Sequence, residues 1–156
     1  MPDLLVRLYA LPDPAPVLAA VQRDGVAVRR ADSWERRELV AWVEREFTPG
    51  WAAECEGAFG SAPVRCFVAT RGAAFVGFAC RDVTRRNFFG PAGVAKDERG
   101  QGIGKALTLV TLAAMRDAGY AYAIIGGAGP VDFYARVAGA TTIEGSTPGI
   151  YPPAPG

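Results

Sequence analysis

Apolar residues fall into short blocks along this chain, and their spacing switches repeatedly between alternation and helical periodicity. Residues 4–8 alternate and predict a short strand. Asp13-Pro14 predicts a helix start, with Asp as cap and Pro in the first turn, and Gly25 predicts its end. Residues 26–30 predict a second strand. Asp32-Ser33-Trp34-Glu35 carries an acidic residue three positions after the cap, which marks another helix start. Leu39, Trp42, Val43 and Phe47 then recur at helical spacing, and Pro49-Gly50 predicts a break. Residues 51–59 predict a further helix. Strands are expected at 65–70 and 74–83, turning at Arg71-Gly72, and at 88–95 after a turn at Arg85-Arg86-Asn87. The last of these contains Gly90, Pro91 and Gly93. It cannot be regular throughout, because proline lacks an N–H and glycine invites a bulge. A helix over 102–118 should bury Ile103, Leu107, Val110 and Ala114. An apolar strand over 120–125, a glycine-rich turn over 126–130, a helix holding Phe133 and Tyr134, and a strand over 141–144 follow. Residues 148–152 read as an irregular tail. Alternating strands and helices, with no repeat and no dividing linker, predict one layered α/β domain.

Composition narrows the chemistry. The chain has 156 residues, half of them apolar, with a formal charge of +1. That is enough for one domain with a real core, and it carries no basic footprint for nucleic acid. No run approaches the roughly 20 apolar residues that span a bilayer, and no signal peptide is evident. A cytoplasmic location is therefore expected. Lysine occurs only at Lys96 and Lys105, so arginine dominates the basic residues. Histidine is absent, which excludes a Ser-His-Asp triad, a Cys-His pair and a histidine zinc site. Cys55, Cys66 and Cys80 have no metal-ligand spacing and cannot all pair. Buried free thiols in a reducing compartment, and no metal, are the expectation.

The most informative stretch is Arg99-Gly100-Gln101-Gly102-Ile103-Gly104-Lys105. Three glycines at alternate positions leave backbone with few side chains to obstruct an anion. Good helix formers follow, and a helix N-terminus offers unpaired N–H groups and about half a positive charge. Two familiar phosphate signatures fail here. A P-loop would need glycine at Arg99 and a hydroxyl at Ala106. A dinucleotide fingerprint would need its third glycine at Lys105. What remains is Gln/Arg-x-x-Gly-x-Gly/Ala, filled by Arg99, Gly102 and Gly104 after a strand ending Gly93-Val94-Ala95. This resembles the acyl-CoA loop of the GCN5-related N-acetyltransferase (GNAT) family. A second family element matches at Phe133-Tyr134-Ala135-Arg136-Val137, followed by Gly139-Ala140. The resemblance runs over about residues 26–142. Four residues separate Tyr134 from Gly139, one more than usual, and Gly127 lies near the position of the family's frequent asparagine.

The resemblance implies a mixed, mostly antiparallel single-layer sheet flanked by helices and split by a bulged central strand. Residues 26–156 would form that domain. Residues 1–25 would be an extension packed on it, placed to cover an edge strand or to join two copies as a homodimer. It also implies transfer of an acyl group, usually acetyl, from acetyl-CoA to a small-molecule or peptide amine. A bulge in the 88–95 strand would splay it from the 120–125 strand and open a slot for the pantetheine arm. Gly93, Val94 and Ala95 would line that slot, with the N–H near Val94 polarising the thioester carbonyl. The diphosphate would sit over Arg99, Gly100, Gln101, Gly102, Ile103, Gly104 and Lys105. Tyr134 would be the catalytic side chain, protonating or steadying the departing thiolate. No general base is identifiable. Glu98 beside the loop, Asp82, Glu54, Glu56 and Glu144 are candidates, and a water relay would need none of them. Trp34, Trp42, Phe47 and Trp51, interleaved with Glu44, Glu46, Glu54 and Glu56, suit a cationic acceptor, but Trp42 and Phe47 match a buried helical face and the glutamates a solvated one, which is the stronger reading. The competing reading is an acyl-CoA-binding sensor or interaction domain without turnover.

Overall fold

The computed structural model describes residues 1–152. The strands are β1 (Leu4–Arg7), β2 (Ala27–Arg30), β3 (Cys66–Arg71), β4 (Ala74–Arg81), β5 (Phe88–Val94), β6 (Tyr122–Ile125) and β7 (Thr141–Thr142). The helices are α1 (Ala15–Arg23), α2 (Arg36–Glu46), α3 (Pro49–Gly57), α4 (Ile103–Asp117) and α5 (Val131–Ala138). All the strands join one sheet in the order β2-β3-β4-β5-β6-β1-β7. Every pairing is antiparallel except β5 with β6. This is the mixed, mostly antiparallel sheet expected.

Each sheet face carries its own core. On one, α1 and α4 close over Leu4, Val6, Phe67, Ala69, Ala79 and Ile125. On the other, α2 and α3 close over Cys66, Val68, Phe78 and Cys80. β3 is buried on both faces, so its sequence reads as a continuous apolar run rather than an alternation.

Local chemistry explains the starts of α2 and α3. Asp32 and Glu35 form a reciprocal capping box ahead of α2. Glu35 also receives Arg29 through two hydrogen bonds of 2.7 and 2.8 Å. Pro49 begins α3 instead of merely breaking α2: the Thr48 hydroxyl accepts from Trp51 N–H at 3.0 Å, and Pro sits where no N–H is needed. The buried face of α4 is wider than its predicted stripe. Ile103 and Leu107 are buried, but Val110 and Ala114 are only partly so, while Ala106, Leu109, Leu112 and Met115 are enclosed. The helix is covered by the sheet, α1 and α5 together, not along a single seam.

Residues 1–25 are more than a cover. β1 lies inside the sheet, paired to β6 through Leu4–Ile125, Leu5–Ile124, Val6–Ala123 and Arg7–Tyr122, and to β7 on its other edge. Asp3 reinforces the insertion: its carboxylate accepts from Gly127 N–H at 2.8 Å, and its N–H donates to Ser146 Oγ at 2.8 Å.

The central irregularity is in β5. Ala79 pairs with Ala92 and Arg81 with Phe89, so Gly90 and Pro91 together oppose Cys80 alone. That is a bulge at the predicted dipeptide. On the β6 side, pairing covers only Phe88–Ile124 and Phe89–Ile125. Beyond Phe89 the two parallel strands separate. Phe47 fills the α3 face beneath the free part of β5, and a Cβ added at Gly93 would lie 2.5 Å from its ring. Gly93→Ala should therefore cost about 1–3 kcal/mol through overpacking, read as a lower urea midpoint, and Phe47→Leu in the same chain should recover part of it.

Candidate active site

The separation of β5 from β6 leaves backbone unpaired at the centre of the sheet. Ala95 N–H donates to Val76 O at 2.8 Å, toward β4. Alternation then aims the N–H and C=O of Val94 at the opposite edge, into the opening. Val94 O is partly used, accepting from Arg99 Nε at 3.3 Å. Its N–H remains an edge donor facing the slot.

α4 begins at the mouth of this slot. Gly100 and Gly102 have φ of 79° and 87°, the left-handed region where glycine is unstrained. Gly102 is the N-cap and offers no side-chain cap. Ala106 N–H reaches Gly102 O at 3.0 Å, so the helix ladder begins there. The preceding amides of Ile103, Gly104 and Lys105 point out of the helix end without a capping partner. An anion of diphosphate size suits that set of donors and the positive end of a 15-residue helix.

The loop residues divide by role. Ile103 is buried, so it offers its backbone only. Lys105 and Gln101 are exposed. Gln101 Oε1 accepts from Arg71 at 3.3 Å, which holds its side chain away from the helix end. A Cβ on Gly102 would meet Val17 and Val21 of α1 at 3.8 and 3.7 Å, whereas one on Gly104 would meet Val94 and Phe133, both at 3.6 Å. Gly104 is thus the glycine that borders the slot.

Tyr134 projects from α5 onto β5. It is 9 % exposed, with its ring edge-on to Phe89 at 5.9 Å and to Phe133 at 5.2 Å. Its hydroxyl has no hydrogen-bond partner among the described residues. Burial pushes its pKa up to about 12, because the phenolate would lack water.

The candidate bases separate clearly. Glu98 is held by Arg71 at 3.1 and 2.8 Å, and that pairing keeps its carboxyl below the ordinary range. Asp82 is saturated by Arg81 at 2.6 Å, Asn87 N–H at 2.7 Å and Tyr120 Oη at 2.7 Å. It pins the β4–β5 hairpin. Glu44 and Glu56 line a shallow surface cavity of about 240 Å³ on α2 and α3 with Arg36 and Arg37, and Glu144 is exposed. Glu54 differs. It is half-buried on α3, accepts from Thr84 Oγ1, and is in no ion pair among the described residues. Tyr151 lies beside it, over Gly126 and Gly127 where β6 ends; burial first, then the Glu54 and Asp3 carboxylates, raise that phenol's pKa. Nothing in the sequence pattern pointed to Tyr151.

The aromatic group splits likewise. Trp34 is 80 % exposed and stands outside the site. Trp42, Phe47, Trp51 and Phe78 form one stack beneath β5, with centroids 5.3 to 6.2 Å apart.

The family model described as the acetyltransferase (GNAT) family matches residues 29–139. The chain belongs to that family. No curated protein matches it significantly. Among solved structures, it is similar to a GCN5-related glucosamine N-acetyltransferase region in a fungal multi-domain GH3 β-N-acetylglucosaminidase. That match has 19 % identity and a TM-score of 0.74, over 91 % of this chain and 19 % of that one. It is also similar to a GCN5-related N-acetyltransferase from Sphaerobacter thermophilus (18 % identity, TM-score 0.67, 91 % of this chain and 48 % of that one). A third is a GNAT family acetyltransferase from Brucella melitensis in complex with acetyl-CoA (20 % identity, TM-score 0.56, 71 % of this chain and 80 % of that one). The chain spans less than half the length of the first two. At these identities the likeness establishes the fold.

Gly104 gives a direct test of the slot. Gly104→Ala should raise stability by up to about 1 kcal/mol through helix propensity. Gly104→Glu places a carboxylate between Val94 and Phe133 and should weaken CoA binding tenfold or more, since a like charge at contact costs about 1–4 kcal/mol. Calorimetry with CoA, beside thermal melts of both variants, separates the two effects.

Proposed function

We propose that this protein is an acetyl-CoA-dependent N-acetyltransferase that joins acetyl-CoA and an amine in one ternary complex. One arrangement supports the reading: β5 carries an unpaired edge, α4 starts uncapped beside it, and Tyr134 packs its ring on Phe89 of β5 with no hydrogen-bond partner for its hydroxyl among the described residues. Backbone amides from Gly102 to Lys105 hold the diphosphate. The pantetheine arm adds along β5 as a short extra strand would, using the edge at Ala92 and Val94. Val94 N–H meets the thioester oxygen, where charge develops as the amine attacks.

The reaction needs alignment more than special side chains, because the thioester is already activated. Positioning of amine and carbonyl supplies several kcal/mol. Tyr134 donates from its neutral phenol to the sulfur as the carbon–sulfur bond breaks. The amine approaches from the α3 side, where Glu54 and Tyr151 flank the seam. Glu54 is the carboxylate placed to attract an ammonium and to take its proton directly or through water. The acceptor class is a primary amine, small molecule or peptide.

Tyr134→Phe tests the assignment. It should lower kcat about 10²-fold or more while leaving CoA affinity unchanged, in an assay of thiol release from acetyl-CoA with a panel of amines. A wild-type protein that binds acetyl-CoA but transfers to no amine overturns the enzyme reading in favour of a sensor. The raised phenol pKa adds a pH test. The folded state holds this proton more tightly than the unfolded chain, whose phenol titrates near 10. The resulting stability is complete below about pH 10 and is lost as pH rises through about 12. Wild type should lose stability relative to Tyr134→Phe across that window, followed by alkaline denaturation, with the phenolate absorbance titrating near 12.

A further inference from the structure

The three cysteines, dispersed in the sequence, meet in the fold. Cys66 and Cys80 are cross-strand partners on β3 and β4, and α3 lays Cys55 over them. All three are fully buried and reduced, and their sulfurs lie within 4.8 Å of one another. Ala31, Leu39, Ala52, Ala58 and Val64 surround them in an apolar core. The acetyl-transfer reading uses none of these thiols.

Spacing and charge together define what such a cluster can hold. Ligands about 2.3 Å from one ion stand about 4 Å apart when coplanar with it and closer in a pyramid, both within the span of the observed cluster. Three thiolates carry three negative charges into an apolar core, where net charge costs several kcal/mol. A monovalent soft ion leaves the site doubly negative. A divalent zinc ion leaves it singly negative and asks for a fourth ligand, which no described residue supplies. A trivalent ion makes the site neutral. Trivalent arsenic also forms three bonds in a pyramid and keeps a lone pair on the open side, so it asks for no fourth donor.

We propose that Cys55, Cys66 and Cys80 form a three-thiolate binding site for trivalent arsenic. Arsenous acid brings three hydroxyls. Three arsenic–oxygen bonds break, three arsenic–sulfur bonds form, and each thiol proton leaves with a hydroxyl as water; no redox step occurs. Uptake is slow, because α3 must lift to admit the ion. Once bound, arsenic ties α3 to the two central strands.

The experiment incubates the reduced full chain with sodium arsenite without oxygen. Native mass spectrometry should show one added arsenic less three hydrogens, and arsenic X-ray absorption should show three sulfur neighbours and no oxygen. Amide exchange in α3 should slow. Cys55→Ala, Cys66→Ala and Cys80→Ala should each abolish the three-sulfur species. Two sulfurs plus an oxygen in the wild type, or the same uptake by Cys55→Ala, overturns the site. A chain that takes up zinc in a parallel incubation but ignores arsenite overturns the charge argument. The absorption measurement on wild type stands alone if an alanine variant fails to fold.

Discussion

β5 holds β6 through Phe88 and Phe89 and then releases it, and this divergence is the constraint on which the site depends. A sheet does not open at its centre without cause, because unpaired backbone polar groups are expensive. Here the bulge at Gly90-Pro91 re-aims the rest of β5 while its other edge stays paired to β4. The outer edge is left with a donor and acceptor set that β6 no longer satisfies. Below, the Phe47 ring presses on Gly93, and above, Val94 packs with the α1–α4 core. The strand is fixed from both faces, so the opening cannot heal by sliding.

The two sides of the opening are built from different chemistry. On the α4 side the donors are main-chain amides at a helix end, which suit a phosphate whatever else the ligand carries. On the α3 side lie Glu54, Thr84 and Tyr151, which suit a cation with hydrogen-bonding capacity. The carbonyl of a thioester threaded along β5 would lie between the two. This polarity, anion binder on one face and carboxylate on the other, is what a reaction between an acyl carrier and an amine requires.

Local features were legible in the sequence because their causes are local. The glycine loop, the capping box at Asp32 and Glu35, and the Gly90-Pro91 bulge each follow from residues within a few positions. Features set by distant pairing were not. The alternation at residues 4–8 announced a strand, but nothing there says that it inserts between β6 and β7. Helical spacing marked Val110 and Ala114 as core, yet burial of α4 is set by three separate neighbours. Trp34 sits just ahead of a buried helix and still points to water, because the capping box turns the chain before α2 begins. The cysteines failed every spacing rule for metal ligands, since strand register and a helix from elsewhere bring their sulfurs together. Tyr151 lies in a tail whose composition predicts no structure, and its place comes from contacts with Gly126 and Gly127.

The burial that keeps Tyr134 neutral also limits what it can do. A phenol near pKa 12 facing an ordinary alkyl thiolate near 8.5 is the weaker acid by about 3.5 units, so full proton transfer would be uphill by about 5 kcal/mol. In water that would argue against a proton donor. In the proposed reaction, however, the departing sulfur would form in the same apolar slot, where the same loss of solvation would raise its own pKa. Matched desolvation narrows the gap from both ends. The hydrogen bond from an otherwise unpartnered phenol then strengthens as charge builds on sulfur, which is stabilisation confined to the transition state. In the proposed reaction Tyr134 would therefore act first as a fixed donor to the sulfur. It would yield its proton only as far as the slot holds the thiolate away from water.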